Sequence, residues 1–153
     1  MAGRSDTVND KAILFEYLTV PATALHAQVA GNVYGPDPPP TSIWDGRTTK
    51  GIVISRRGGT PRGETLSNMA LQAKCYGGVD DSPVPTESEW DRAEDVARAF
   101  CNRIRGQGTN VTSGRYVGGH IETSGQQITE PGTDPPWRYV LVFFSAKMGP
   151  IAV

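Results

Sequence analysis

The sequence predicts an α+β fold: an antiparallel sheet of about four or five strands, with one long helix packed on a face plus an N-terminal helix. Three stretches of the chain lead to it. Trp90, Ala93, Val96, Ala97, Phe100, Cys101 and Ile104 recur at helical spacing. In 66–76, LSNMALQAKCY, the side chains Met69, Leu71, Ala73 and Cys75 point one way. Asn68, Gln72, Lys74 and Tyr76 point the other, as in a strand buried on one face. Residues 137–147, WRYVLVFFSAK, are apolar on both faces, as a central strand is.

Taken in order, residues 1–9 are small and polar and are expected to form a flexible N-terminus. Ile13, Leu14, Tyr17 and Leu18 then have helical spacing, with Asp10 as the expected N-cap. Pro21 breaks that helix and suits the first turn of a second piece through Ala22, Ala24 and Leu25. A short strand is expected over 28–34, anchored by Val29 and Val33. The prolines of 35–40, GPDPPP, exclude regular structure and make a stiff connector. Residues 51–55, GIVIS, form a β-branched strand, and 56–63, RRGGTPRG, read as a flexible basic loop. Before the long helix, Thr86 and Glu89 have capping-box spacing. Acids lead that helix and arginines trail it, which suits the helix dipole, and Gly106 is the expected stop. Residues 116–129 read as a weaker, more exposed strand, and 131–136 as a turn connection. The expected organisation is one domain over 1–153, with 148–153 as a C-terminal arm.

The chain has 153 residues, of which 18 are Gly and 12 Pro, so a large share of it lies in turns and loops. A formal net charge of −1 offers no overall footprint for a nucleic-acid polyanion. Charge is uneven locally: Arg56, Arg57 and Arg62 gather around Gly58-Gly59, and Asp80-Asp81 mark another loop. No apolar run approaches the roughly 20 residues of a membrane helix, and the start of the chain does not read as a secretion signal.

Catalytic and metal-binding patterns do not emerge. His26 and His120 have no second ligand at metal spacing. The stretch RRGGTPRGET lacks the spacing of a nucleotide phosphate loop, and Ser113 and Ser124 have no base at hand. Its arginines and backbone amides suit either an anion or a partner surface on which the loop orders. Glu87 and Glu89 are accounted for by helix capping and dipole. Cys75 and Cys101, without CxxC spacing, read as small buried apolar residues. No cofactor and no catalytic residue are expected.

The succession ILFEYL with a nearby proline, VYGPDPPP, MALQAKCYGG, SEWDRAEDVARAFCNRI and DPPWRYVLVFFSAKM resembles the tail-terminator family of long-tailed bacteriophages. The resemblance spans about Lys11 to Lys147 and lies in pattern and order more than in fixed residues. It implies a non-enzymatic virion protein: a homohexameric ring at the head-proximal end of the tail tube. Such a ring ends tube polymerisation and joins the tail to the head connector. Its partners would be copies of itself, the tail tube protein and a head-completion protein. DNA would pass through the ring without sequence-specific contact. Arg56, Arg57 and Arg62 are the candidate partner-contact loop, and the strands 66–76 and 116–129 are candidate edges for pairing with a neighbour. Another head-to-tail joining or minor tail protein is an alternative, as is a small-ligand-binding α+β protein.

Overall fold

A computed structural model describes residues 9–62, 66–80, 82–130 and 137–151. The fold is α+β, with three helices and a six-stranded sheet. Helices α1 (Asp10–Leu18), α2 (Ala24–Val29) and α3 (Glu89–Ile104) accompany strands β1 (Val33–Tyr34), β2 (Gly51–Arg62), β3 (Leu66–Tyr76), β4 (Thr109–Val111), β5 (Gly114–Glu130) and β6 (Trp137–Gly149). The strand order is β1-β2-β3-β6-β5-β4. All neighbours are antiparallel except β1 and β2, which run parallel.

The two apolar patterns that predicted the fold meet in the core. From α3, Ala93, Val96, Ala97, Phe100, Cys101 and Ile104 are buried against Val140, Val142 and Phe144 of β6 and Leu71, Ala73 and Cys75 of β3. Phe100 and Phe144 meet edge to face with ring centroids 5.0 Å apart. Each large apolar side chain buried here contributes roughly 1.5–3 kcal/mol. Ile13, Leu14, Tyr17 and Leu18 of α1 join the same core. A second, smaller cluster forms on the opposite face. Trp44, from the connector, clusters with Val53, Tyr76, Trp137 and Tyr139, so the start of β6 is covered on both faces. Gly77 marks where β3 leaves the sheet beneath α3: a Cβ there would stand 2.3 Å from the Ala93 amide nitrogen.

The last turn of α3 is closed by two tyrosines. Tyr17 and Tyr116 stack with centroids 3.8 Å apart. The Tyr17 hydroxyl donates to the Arg103 carbonyl at 2.6 Å, and the Tyr116 hydroxyl to that of Ile104. These are carbonyls that a helix end leaves without an intrahelical donor. In return, the Arg103 guanidinium donates to the Tyr17 carbonyl at 2.9 Å. Burial raises both hydroxyl pKa values, keeping them protonated as donors.

Several expectations are corrected. The sheet has six strands where about four or five were expected, because β1 and β4 are short additions at its two sides. The cap of α1 is Asn9, the one residue of the expected flexible segment 1–9 among those described; its side chain accepts from the Ala12 amide. Gln28 and Val29 belong to α2 and not to a strand, since Ala30 and Gly31 take left-handed conformations and extended chain resumes only at Val33. The cap of α3 is Ser88, whose hydroxyl accepts from the Asp91 amide at 3.1 Å; the Thr86 amide instead donates to Asp80. The expected arm 148–153 begins too early: Met148 is fully buried and, with Gly149, belongs to β6. The turn expected at 131–136 lies outside the described residues.

Candidate interaction surface

The segment expected as a basic loop is strand. β2 continues through Arg56 and Arg57 to Arg62, paired with β3 as far as Leu66. Pairing supplies the ladder bonds that the sequence 58–61, GGTP, does not suggest, and a proline is tolerated because β2 is nearly an edge strand. Arg57 occupies a bulge between Arg56 and Gly58 and turns inward across the sheet. Its guanidinium donates to the Leu71 carbonyl at 3.0 Å, lies 4.5 Å from the Phe143 ring centre, and reaches Glu122 of β5 at 2.7 Å. Arg56 lies beside a groove described below. The side chain of Arg62 lies outside the described residues. Arg56 and Arg57 therefore lie in different surroundings, Arg56 beside the groove and Arg57 over Phe143.

The two sides of the sheet differ. β1 pairs only with Ile52 and Val53 of β2, so 54–62 has no further strand beside it among the described residues. β4 pairs only with Gly114, Arg115 and Tyr116, leaving the outer side of β5 from Gly118 to Glu130 without a strand among the described residues. β3 is interior, flanked by β2 and β6, which removes 66–76 as an edge for a neighbour. The expected edge in 116–129 is present.

Beside the open stretch of β2 lies a groove of about 200 Å³. Leu14 and Phe15 of α1, Pro36, Ile54 and Leu71 make it apolar, and the charged residues lining it are Lys11 and Arg56. It is smaller than the roughly 300–1,000 Å³ typical of small-molecule sites, and suits one protruding side chain better than a substrate.

A preformed projection stands elsewhere on the surface. The Asp80 carboxylate accepts from the Ser82 amide and hydroxyl, from the Thr86 amide at 3.1 Å and from the Glu87 amide at 3.3 Å. Those hydrogen bonds, the Ser82 hydroxyl first, hold its pKa far below the usual carboxylate range. The turn so tied presents Pro83-Val84-Pro85, with Val84 76% exposed.

Of the polar residues considered for chemistry, His26 lies on α2 and His120 on β5 beside Ser145 and Lys147. No group of three or more His, Cys, Asp or Glu residues placed to hold a metal occurs among the described residues. Cys75 and Cys101 are free and buried, and burial pushes both thiol pKa values up. No helix among the described residues is long and apolar enough to cross a membrane. The chain matches no known family model and no curated protein.

Sequence reasoning missed the groove, the Val84 projection and the Arg57–Glu122 contact. The groove and the Arg57–Glu122 contact join residues far apart in the chain, and the contact also rests on bulges that no local pattern announces. The alternation of Asp80, Ser82 and prolines before the helix was the available signal for the projection.

Proposed function

We propose that this chain is a structural subunit of a bacteriophage virion, a tail terminator that closes as a hexameric ring on the head-proximal end of the tail tube. The ring ends tube polymerisation and offers its other face to the head connector. Copies of this chain, the tube protein and a head-completion protein are its partners, and it performs no catalysis. The observation that carries this reading is the pair of unlike edges that no strand covers among the described residues, β2 beyond Ile54, whose carbonyl Gly35 packs against, and β5 beyond Val117. A closed ring of identical subunits needs two different, complementary patches on each subunit. Open strand edges are templates for pairing with another chain. Bulges at Arg57 and Glu122 restrict such pairing to a partner of matching shape. The resemblance implies an N-terminal helix, a sheet and one long helix before the last two strands, and the order of elements, with helices first and the long helix before the last two long strands, supports it.

Native mass spectrometry over a concentration series, with negative-stain images of the most concentrated sample and of the protein mixed with tail tubes, tests the proposal. Closed six-fold rings, free or on tube ends, are the expected result. A protein that stays monomeric and leaves tube ends bare would overturn it.

A further inference from the structure

We infer that copies of this chain associate by inserting Val84 of one copy into the groove between α1 and β2 of the next. The inference adds a side-chain contact to the edge pairing proposed above, and rests on the ring reading for closure of the contact into a ring.

Four features of the surface support the match. Val84 is the most exposed large apolar side chain among the described residues, at 76%, and an apolar side chain so displayed gains most from a pocket. The groove's walls are apolar, and its size fits one aliphatic side chain with its flanking backbone. The charges are complementary. Residues 79–89 contain Asp80, Asp81, Glu87 and Glu89 and no lysine or arginine, whereas the groove is flanked by Lys11 and Arg56. Arg92 approaches Glu87 to 3.7 Å and Arg138 approaches Glu89 to 3.3 Å, so the acidic charge left for a partner lies at the Asp80-Asp81 end of the projection. Finally, the projection is pre-organised. Prolines on both sides of Val84 stiffen it and Asp80 ties its base, so little ordering entropy is lost on docking.

Within one copy Val84 stays outside the groove: it is 76% exposed and is not among the residues lining it. Leu71 lines the groove, while the projection leaves β3 beyond Tyr76, about 17 Å further along at ~3.4 Å per residue. The contact is therefore heterologous, joining one patch to a different patch on the next copy, as a ring requires.

Cysteine trapping tests this directly. Chains carrying Val84→Cys are mixed with chains carrying Ser55→Cys, on the groove wall, under mild oxidation, and products are read by non-reducing gel and intact mass. The native thiols are buried and do not compete. The V84C–S55C heterodimer is expected well above a control pairing of S55C with Arg98→Cys on the exposed side of α3. Val84→Asp in the wild-type chain is expected to weaken self-association about tenfold or more, with an unchanged melting temperature because Val84 supports no core. Rings that form while V84C and S55C fail to trap would overturn the inference and leave the ring reading standing. A protein that stays monomeric, traps nothing with or without tail tubes and leaves tube ends bare would overturn both. Trapping only between two S55C chains would place groove against groove and overturn the inference.

Discussion

Arg57 and Glu122 lie on strands separated by two others, yet their side chains meet at 2.7 Å across the face of the sheet, over the ring of Phe143. Each sits in a bulge, one in β2 and one in β5. A bulge re-aims a side chain out of the regular alternation. The pair straps β2 to β5 on the face that the helices leave uncovered. A double-mutant cycle with Arg57→Ala and Glu122→Ala, followed by urea melts, is expected to give a coupling of about 0.2–1 kcal/mol that shrinks with salt, since both side chains are partly exposed. Additive single effects would show that the strap carries no energy.

The helix face of the sheet depends on Phe100. It is fully buried and meets Phe144 edge to face. Phe100→Ala is expected to cost about 3–5 kcal/mol through lost burial and the cavity left behind. An unchanged melting midpoint would refute the assignment of α3 as the main clamp on the sheet.

The start of α3 distinguishes two capping schemes. Ser88, and not Thr86, accepts from an amide of the first turn. Ser88→Ala is therefore expected to cost about 0.5–2 kcal/mol, while Thr86→Ala, whose hydroxyl caps nothing in α3, leaves the melting midpoint nearly unchanged. The opposite ranking in thermal melts would restore the Thr86 capping box.

Asp80 gives the projection a defined pH response. Its folded pKa is depressed below the ordinary 3.8 by hydrogen bonds from Ser82, Thr86 and Glu87. The unfolded chain therefore binds this proton more tightly than the folded loop does. The carboxylate's support is fully present above about pH 3.8 and is lost only as pH falls through the depressed folded value. The amide signals of Ser82, Thr86 and Glu87 are expected to hold steady from about pH 5 to pH 3, where ordinary carboxylates titrate. Asp80→Asn is expected to shift all three and to speed their exchange. Amides that titrate with an ordinary carboxylate midpoint would contradict the hydrogen-bonded turn.

Elements with a strong period were legible in the sequence and those without one were not. The stripe from Ala93 to Ile104 and the alternation from Leu71 to Cys75 are local patterns, and both elements formed where the pattern lay. Residues 56–62 read as a loop because Gly58, Gly59 and Pro61 disfavour strands individually. They are strand because β3 lies alongside and accepts the pairing. β4, three residues long, has too little sequence to show a period, and exists by pairing with the start of β5. Of the candidate contact residues, Arg57 pairs with Glu122 within the chain, a relationship that no local pattern shows.

By itself the sequence determined the fold class, the burial of Cys75 and Cys101, and which face of α3 enters the core, because burial pattern and helical or strand period are properties of neighbouring residues. Only the tertiary structure decided which strands are interior and which stand at the edges, that Arg57 reaches Glu122, and that Lys11, Phe15, Ile54 and Leu71 enclose one groove. Those relationships join residues tens of positions apart. They follow from strand order and register, which the packing of the whole sheet selects and no local stretch encodes.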